Sequence, residues 1–460
     1  MMETIALNQA ASYVSQVVRI KGHLQGMRDL GQIIFLNVRD RAASIQVVVE
    51  RADLLAQVRG LALETPCFFE GSMQARQGRA TPSGQNGAPT TELVLTAITP
   101  LSPVTETCPI EIGKQSKIDG LAPQTLLDYR PLTLRNEKVR AIFKIEAEIV
   151  RAFRQYLDEQ GFTEIHSSKL VSTGTEGGAQ LFAVDYFGRR AYLAQSPQFY
   201  KQIMVGAFER VYEVGPVYRA EEHDTTRHLN EYISLDFEMG FIQSEQDVIR
   251  MQVACLGHIF AEVAGRCAKE FALYGITLPQ IESIAQISLS EARELLIKQY
   301  NWRPESSVHD LDGEGERLLC SHFEKSEGLS MVYVTNYPHK IRPFYAMPCA
   351  NGIQNGAGNG VAGDTTINEP GSRSFDLLYG GLEITTGGQR IHEYAKLTES
   401  MKARGLNPED FGDYLMAFKH GLPPHGGLAI GLERLAKQML KLPSVKQTAL
   451  FPRDINRLTP

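Results

Sequence analysis

Between residues 231 and 240 apolar and polar positions alternate without a break. Ile233, Leu235, Phe237 and Met239 fall on one side, and Tyr232, Ser234, Asp236 and Glu238 on the other. A period of two predicts a β-strand with one buried apolar face. The preceding "RVYEVGPVYR" alternates as well, with Tyr212, Val214 and Tyr218 opposite Val211, Glu213 and Arg219. Together they predict a long hairpin with a connection of about nine residues. Its polar face sets Arg219 beside Tyr232, Asp236 and Glu238. The plain alternative is a solvated strand face. Apolar partner faces, however, imply a covered central sheet, where buried charges need partners or ligands. Guanidinium groups fork onto phosphate oxygens and an aromatic ring gives a base something to stack on. The hairpin therefore reads as a nucleotide site.

Residues 16 to about 104 alternate in shorter bursts. "VVRIKGHLQGMRDLG", "IIFLNVRDRAASIQVVVER", "CFFEGSMQARQG" and "TELVLTAITPL" are separated by glycines and the turn-rich "RATPSGQNGAPT". Five short strands suit an N-terminal β-barrel of the oligonucleotide-binding (OB) type over residues 1–104, the plain alternative being a generic β-domain or a lid. Residues 105–135 lack periodicity and read as a hinge. From Asn136, an N-cap candidate, Val139, Ile142, Phe143, Ile149, Val150, Phe153 and Leu157 recur at helical spacing, and Gly161 can end the helix. Strands and helices then alternate irregularly, which predicts an α+β domain on a largely antiparallel sheet over residues 136–460. "CANGIQNGAGNGVAGDTTINEPGS", residues 349–372, contains Gly358, Gly360 and Gly363 in a G-x-G-x-x-G spacing. No strand precedes it and no helix follows, so a dinucleotide fold is not expected. It reads as a flexible loop whose glycines suit a mobile flap.

Composition narrows the classes. The 460 residues imply two or three domains, and 43% hydrophobic with 22% charged residues is ordinary for a globular protein. No apolar run approaches the roughly 18 residues of a membrane span, and the N-terminus has no secretory pattern. Cys67, Cys108, Cys255, Cys267, Cys320 and Cys349 form no CxxC pair. That speaks against zinc or a disulfide framework and fits a reducing cytoplasm. The net charge of −6 gives no global basic surface, so RNA contacts must come from local arginines and exposed bases.

"VYRAEEHDTTRHLNEYISLDFEM" resembles the second signature motif of class II aminoacyl-tRNA synthetases, in the aspartyl, asparaginyl and lysyl subgroup. "GTEGGAQLF", "YLAQSPQFYKQIM", "GGLEITTGGQRIHEY", "FKHGLPPHGGLAIGLERL" and "LFPRDINRLTP" are similar to archaeal-type aspartyl-tRNA synthetases, in the same order. The likeness spans nearly the whole chain. It implies an anticodon-binding barrel before a catalytic domain on an antiparallel sheet of six or seven strands. It also implies ATP-dependent activation of L-aspartate and transfer to tRNA. Arg219 would bridge the α-phosphate and the substrate carboxylate, Glu221 hold the adenine amino group, and Arg227 and His228 meet the outer phosphates. Tyr232 and Arg434 would cover the two adenine faces. Ala220, Leu229, Gly431, Leu432 and Glu433 complete the implied ATP site. Mg²⁺ would be held by Glu383 and Thr386. These lie three apart, so a bulge or twist near Gly387 and Gly388 is expected to bring them to one face.

For the amino acid, burying a carboxylate costs several kcal/mol without a cation. Lys201 and Arg390 match that need, with Gln198 and Thr386 beside them and Glu176 and Asp236 for the substrate ammonium. Asparagine would leave Lys201 with an unpaired charge. In the barrel Arg28, Phe35 and Gln46 match the residues that read the middle anticodon base; Phe35 taken alone reads as core. His23 stands where enzymes restricted to tRNA-Asp tend to have tryptophan, and Pro89 matches a loop proline of relaxed enzymes. A non-discriminating enzyme is expected, one that also charges tRNA-Asn and relies on a separate amidotransferase. Ser168 replaces the family's proline at the homodimer interface, and Thr386 replaces a serine while keeping the hydroxyl.

Overall fold

The structure, a computed structural model, describes residues 3–76, 91–174, 180–304, 310–349 and 370–460. Glu176, Pro89, the G-x-G-x-x-G glycines and the flap expected of their segment lie outside the described residues. The chain divides into two compact units, Met1–Ala122 and Pro123–Pro460. The stretch read as a hinge carries three short helices, Gln115–Asp119, Pro123–Asp128 and Arg130–Thr133.

The first unit is a closed barrel of β1 (Val17–Asp29), β2 (Ile34–Arg39), β3 (Ser44–Val49), β4 (Pro66–Ala75) and β5 (Thr91–Pro100). β1 pairs with both β2 and β4, β2 with β3, β3 in parallel with β5, and β5 with β4. Alternate residues, among them Ile20, Leu24, Ile34, Leu36, Val38, Val47, Phe69 and Leu93, fill its interior.

The second unit is built on eight strands. They are β6 (Thr163–Glu164), β7 (Arg210–Tyr218), β8 (Glu231–Gly240), β9 (Ala285–Ser288), β10 (Met331–Thr335), β11 (Ser374–Tyr379), β12 (Leu382–Gln389) and β13 (His425–Gly431), in the order β9-β10-β11-β12-β13-β8-β7-β6. The six central strands are antiparallel, and each edge adds a short parallel strand. The β7–β8 hairpin forms as its alternation predicts, pairing Val217 with Tyr232 and Glu213 with Asp236, but its connection is longer than expected, residues 219–230.

One sheet face is covered by α1 (Glu137–Glu159) and α3 (Glu245–Arg266). Asn136 caps α1, its side chain accepting from Lys138 N at 2.9 Å, and Gly161 leaves the helix at φ +76°. Ile145, Ile149, Phe153, Leu256, Ile259 and Phe260 meet Leu235, Phe237, Leu377, Leu428 and Ile430 from the sheet. Among the described residues α3 alone is long and apolar enough to cross a membrane, with mean hydropathy 1.2. Its apolar residues pack into this core, and its buried Gln252 donates to Thr385 Oγ1 and accepts from Tyr333 OH, each at 2.8 Å. The opposite face carries the polar residues of β8. Beside it stand α2 (Gln198–Phe208) and α4 (Gly313–Glu327), whereas α5 (Leu432–Met439) packs with α1 in the core of the first face.

Candidate active site

β8 presents Ser234, Asp236 and Glu238 to the polar face, and β13 sets Gly431, Ala429 and Gly427 directly opposite them. Small residues there leave room above the strand. At Gly427 a Cβ would lie 2.1 Å from Phe237 O and 2.3 Å from Glu238 Oε2, so only glycine lets the carboxylate lie against this strand. The space above is a cavity of about 660 Å³, a size that suits a nucleotide with a small co-substrate.

One end is a buried charge cluster. Lys201 Nζ donates to Asp236 Oδ1 and to Leu428 O, both at 3.0 Å, and lies 3.4 Å from Glu238 Oε2. Arg390 Nε donates to Glu238 Oε1 at 2.9 Å and its Nη2 to Gly427 O at 3.0 Å. Lys201 and Arg390 line the cavity, whereas Asp236 and Glu238 lie beneath it. Asp236, expected beside a substrate ammonium, is here the counter-ion of Lys201 and does not itself line the cavity. Lys201 already has counter-ions in Asp236 and Glu238, so its charge is compensated before any ligand enters. Gln198 is held by a relay. Its Nε2 donates to Gln202 Oε1 at 2.9 Å, which also accepts from Tyr414 OH at 3.1 Å. His425 sits 2.9 Å from Gln202 Nε2 and 2.9 Å from Pro423 O. Because a carbonyl only accepts, Nδ1 of His425 carries the proton and Nε2 accepts from Gln202. Burial lowers the His425 pKa despite the opposing pull of Glu238, so the ring stays neutral.

Burial works against ionising Glu238, but Arg390 and then Lys201 outweigh it and hold the carboxyl below the ordinary glutamate range. A group depressed in this way contributes stability that is present above its unfolded pKa, about 4.3. That stability is lost as pH falls through the folded value. Melting temperatures of the native protein should therefore hold from neutrality to about pH 5 and fall steeply on further acidification. Glu238→Gln should melt lower at pH 7 and lose less on acidification. An unchanged acid limb in that variant would contradict the assignment.

The other end gathers cations around an aromatic ring. Arg219 lies over the ring of Tyr232 at 5.6 Å. Arg434, in the first turn of α5, donates to Glu383 O at 2.8 Å. His228 Nδ1 lies 2.7 Å from Thr225 Oγ1, and burial followed by the charge of Arg434 lowers its pKa, so it meets the cavity as a neutral ring. Arg227 pairs with Glu316 of α4. Glu221, Leu229 and Gly431 also line the cavity, and Asn230 ties the loop by donating to Arg219 O at 2.7 Å and Glu221 O at 3.0 Å. Three implied ATP contacts differ. Leu432 points into the core. Ala220 opens onto a neighbouring cleft, its N–H donating to Gln180 O at 3.1 Å. Glu433 reaches the cavity edge, but its carboxyl accepts from Ile233 N at 3.0 Å and burial pushes its pKa up to about 8.

Glu383 and Thr386 do share a face, with Thr386 Oγ1 donating to Glu383 Oε1 at 3.0 Å. The device is a bulge, but not at the glycines: Leu377 pairs with Thr385 and Leu378 with Glu383, leaving Ile384 as the extra residue. Gly387 and Gly388 serve close packing instead. A Cβ would lie 2.5 Å from the Phe375 ring at the first and 2.5 Å from Arg373 O at the second. Asp376, opposite Thr386, is a second carboxylate that the sequence reading passed over; it pairs with Arg342 at 2.6 Å. Burial raises Asp376, while for Glu383 the pull of Arg434 and Thr386 outweighs burial and lowers it. Among the described residues no cluster of three or more His, Cys, Asp or Glu side chains could cage a metal. One or two carboxylates with a hydroxyl is the donor set Mg²⁺ uses when phosphates complete its shell, so the residues fit that ion.

On the barrel, Arg28 and Phe35 face each other across β1 and β2, and Gln46 lies on β3 opposite Asn37. Phe35 is half-buried outside the apolar interior, which Ile34 and Leu36 fill; the core reading of Phe35 is thereby corrected. Gln46 Nε2 donates to Glu92 Oε2 at 2.7 Å. His23 sits further along β1, between Arg39 and Pro66.

The antiparallel sheet thus carries one cavity with a cation-rich end around an aromatic ring and, at the other end, a buried charge cluster. Residues 122–455 match the tRNA synthetases class II (D, K and N), and residues 18–101 the OB-fold nucleic acid binding domain; the chain belongs to that synthetase family. It is 45% identical to the aspartate–tRNA(Asp/Asn) ligase of Thermus thermophilus over 99% of this chain and 100% of that one. It is also 45% identical to the aspartate–tRNA(Asp/Asn) ligase of Deinococcus radiodurans, over 97% of this chain and 96% of that one. A structure of asparaginyl-tRNA synthetase from Pyrococcus horikoshii complexed with asparaginyl-adenylate superposes with TM-score 0.86 at 28% identity, each chain covered fully.

Proposed function

We propose that the protein activates L-aspartate with ATP and transfers it to both tRNA-Asp and tRNA-Asn. The observation that carries the amino-acid assignment is the placing of Lys201 and Arg390 on the cavity wall, above their buried counter-ions. A side-chain carboxylate offers acceptors to both. The carboxamide of asparagine would turn an NH₂ donor toward ammonium or guanidinium donors, and such mismatches discriminate by factors of about 10⁴. ATP-dependent pyrophosphate exchange should proceed with aspartate and be at least about a thousandfold weaker with asparagine. Comparable exchange with the two would overturn the assignment.

In the first step an aspartate α-carboxylate oxygen attacks the α-phosphorus of ATP, the bond to the β-phosphate oxygen breaks, and pyrophosphate leaves. A hydroxyl of the terminal tRNA ribose then attacks the adenylate carbonyl and AMP leaves. Arg219 would neutralise charge building at phosphorus, Tyr232 and Arg434 would sandwich adenine, and Arg227 and neutral His228 would meet the outer phosphates. Positioning and charge neutralisation supply the catalysis without a protein nucleophile. Glu383 and Thr386, with Asp376 behind them, would hold Mg²⁺, whose charge offsets that of the phosphates.

Arg28, Phe35 and Gln46 form an outward patch suited to an unstacked base, and His23 carries the relaxed choice of tRNA. His23→Trp should restrict charging to tRNA-Asp; continued charging of both tRNAs would refute that role. Asp-tRNA-Asn made here would need an amidotransferase, and the six unbridged thiols suit a cytoplasmic setting. A homodimer is inferred, with Ser168 holding its turn by donating to Leu170 O at 3.0 Å; a monomeric mass by light scattering would contradict it.

A further inference from the structure

We infer that Glu316 is a positioning residue for the nucleotide: from behind Arg227 it fixes the guanidinium that receives the outer phosphates. This rests on the ATP reading given above. Arg227 lines the cavity and Glu316 does not. The carboxylate takes Nη2 of Arg227, with side-chain exposures of 28% for the arginine and 13% for the glutamate. A guanidinium has five donors in a planar fork, so one edge can be held by the carboxylate while donors on another edge face the cavity.

Both sides of the pair are anchored. On the loop side, Arg227 N donates to Thr225 Oγ1 at 3.1 Å, and Thr226 O accepts from Val445 N at 3.1 Å. On the helix side, Asp312 caps α4 by accepting from Gly315 N at 2.7 Å, and it also accepts from the buried Trp302 Nε1 at 3.1 Å. Arg317 is wedged under the β11–β12 turn, where a Cβ on Gly381 would lie 2.9 Å from its Cα. The helix also makes space for the arginine. At Gly313 a Cβ would come within 2.4 Å of Arg227 Nη1. An exposed ion pair contributes little, but this one is largely sheltered. Burial pushes the Glu316 carboxyl up to about 7 against the pull of Arg227, so its charge depends on that guanidinium. Holding a long, flexible side chain in its binding geometry removes an entropic cost from each binding event.

The test is KM for ATP and kcat in aspartate-dependent pyrophosphate exchange for wild type, Glu316→Gln, Arg227→Ala and the double variant. Glu316→Gln should raise KM for ATP about tenfold, as loss of an orienting partner does elsewhere, with kcat changed less than about twofold. Arg227→Ala should raise KM at least as much, and adding Glu316→Gln to it should change nothing further. If Arg227→Ala raises KM while Glu316→Gln does not, or if the two effects multiply, the positioning role fails and the ATP reading stands. If Arg227→Ala itself leaves KM unchanged, both fail. Should Glu316→Gln not fold, Glu316→Asp, which keeps the charge but withdraws it by one methylene, serves in its place.

Discussion

Lys201→Met should abolish aspartate activation and destabilise the catalytic unit together. Lys201 is 1% exposed and holds Asp236 and approaches Glu238 in a region where water cannot replace it. Removing one partner of a buried ion pair costs about 3–5 kcal/mol, because the remaining charge stays buried. In a unit of this size that lowers the melting temperature by roughly 4–7 °C. The same substitution takes away one of the two cations offered to a substrate carboxylate. Aspartate-dependent exchange should fall at least about a thousandfold. The two losses can be separated with Lys201→Met/Asp236→Asn, which removes the orphaned charge: stability should return in part and activity should not. Recovery of activity in the double variant would show that Lys201 serves only as a structural counter-ion.

Arg219→Ala should lower the rate by about a hundredfold to a thousandfold with little effect on melting. Arg219 lies over the Tyr232 ring, at the mouth of the cluster. Charge develops at phosphorus only as the carboxylate attacks, so an interaction with that charge is realised in the transition state. Losing one donor of this kind costs about 10²–10³ in kcat. The loss should appear mainly in kcat, whereas Arg227→Ala should act mainly on KM for ATP. A variant whose kcat survives and whose KM for ATP alone rises would mean that Arg219 binds the ground state only.

The comparison between sequence and structure turns on distance along the chain. β8 and its two faces were legible because a period of two is a local signal, and α1 because its apolar stripe, Asn136 cap and terminal glycine all lie within one window. Which carboxylate matters beneath the pocket was not legible. The strand pattern puts Glu238 on the charged face beside Arg219 and Asp236, but its partner Arg390 lies 152 residues away. The Gln198–Gln202–His425 relay likewise joins segments 223 residues apart. The bulge was anticipated from the need to bring Glu383 and Thr386 together, but its position is set by pairing with β11. Glycine composition therefore pointed to Gly387 and Gly388, whereas Ile384 is the extra residue. Lys201 and Arg390 are found by the need for cations, whereas the pairing of Asp236 with Lys201 is not, because the counter-ion of a lysine on another element is invisible in one strand's pattern. The hinge reading missed three short helices, each too brief for a periodic signal to emerge.

The measurement that tests the central claim most directly is aspartate charging by the native protein, run in parallel on transcripts of tRNA-Asp and tRNA-Asn. The proposed function predicts that both are aspartylated. Charging of tRNA-Asp alone would contradict the relaxed reading of His23 and leave the amino-acid site intact; charging of neither would contradict the proposed reaction itself.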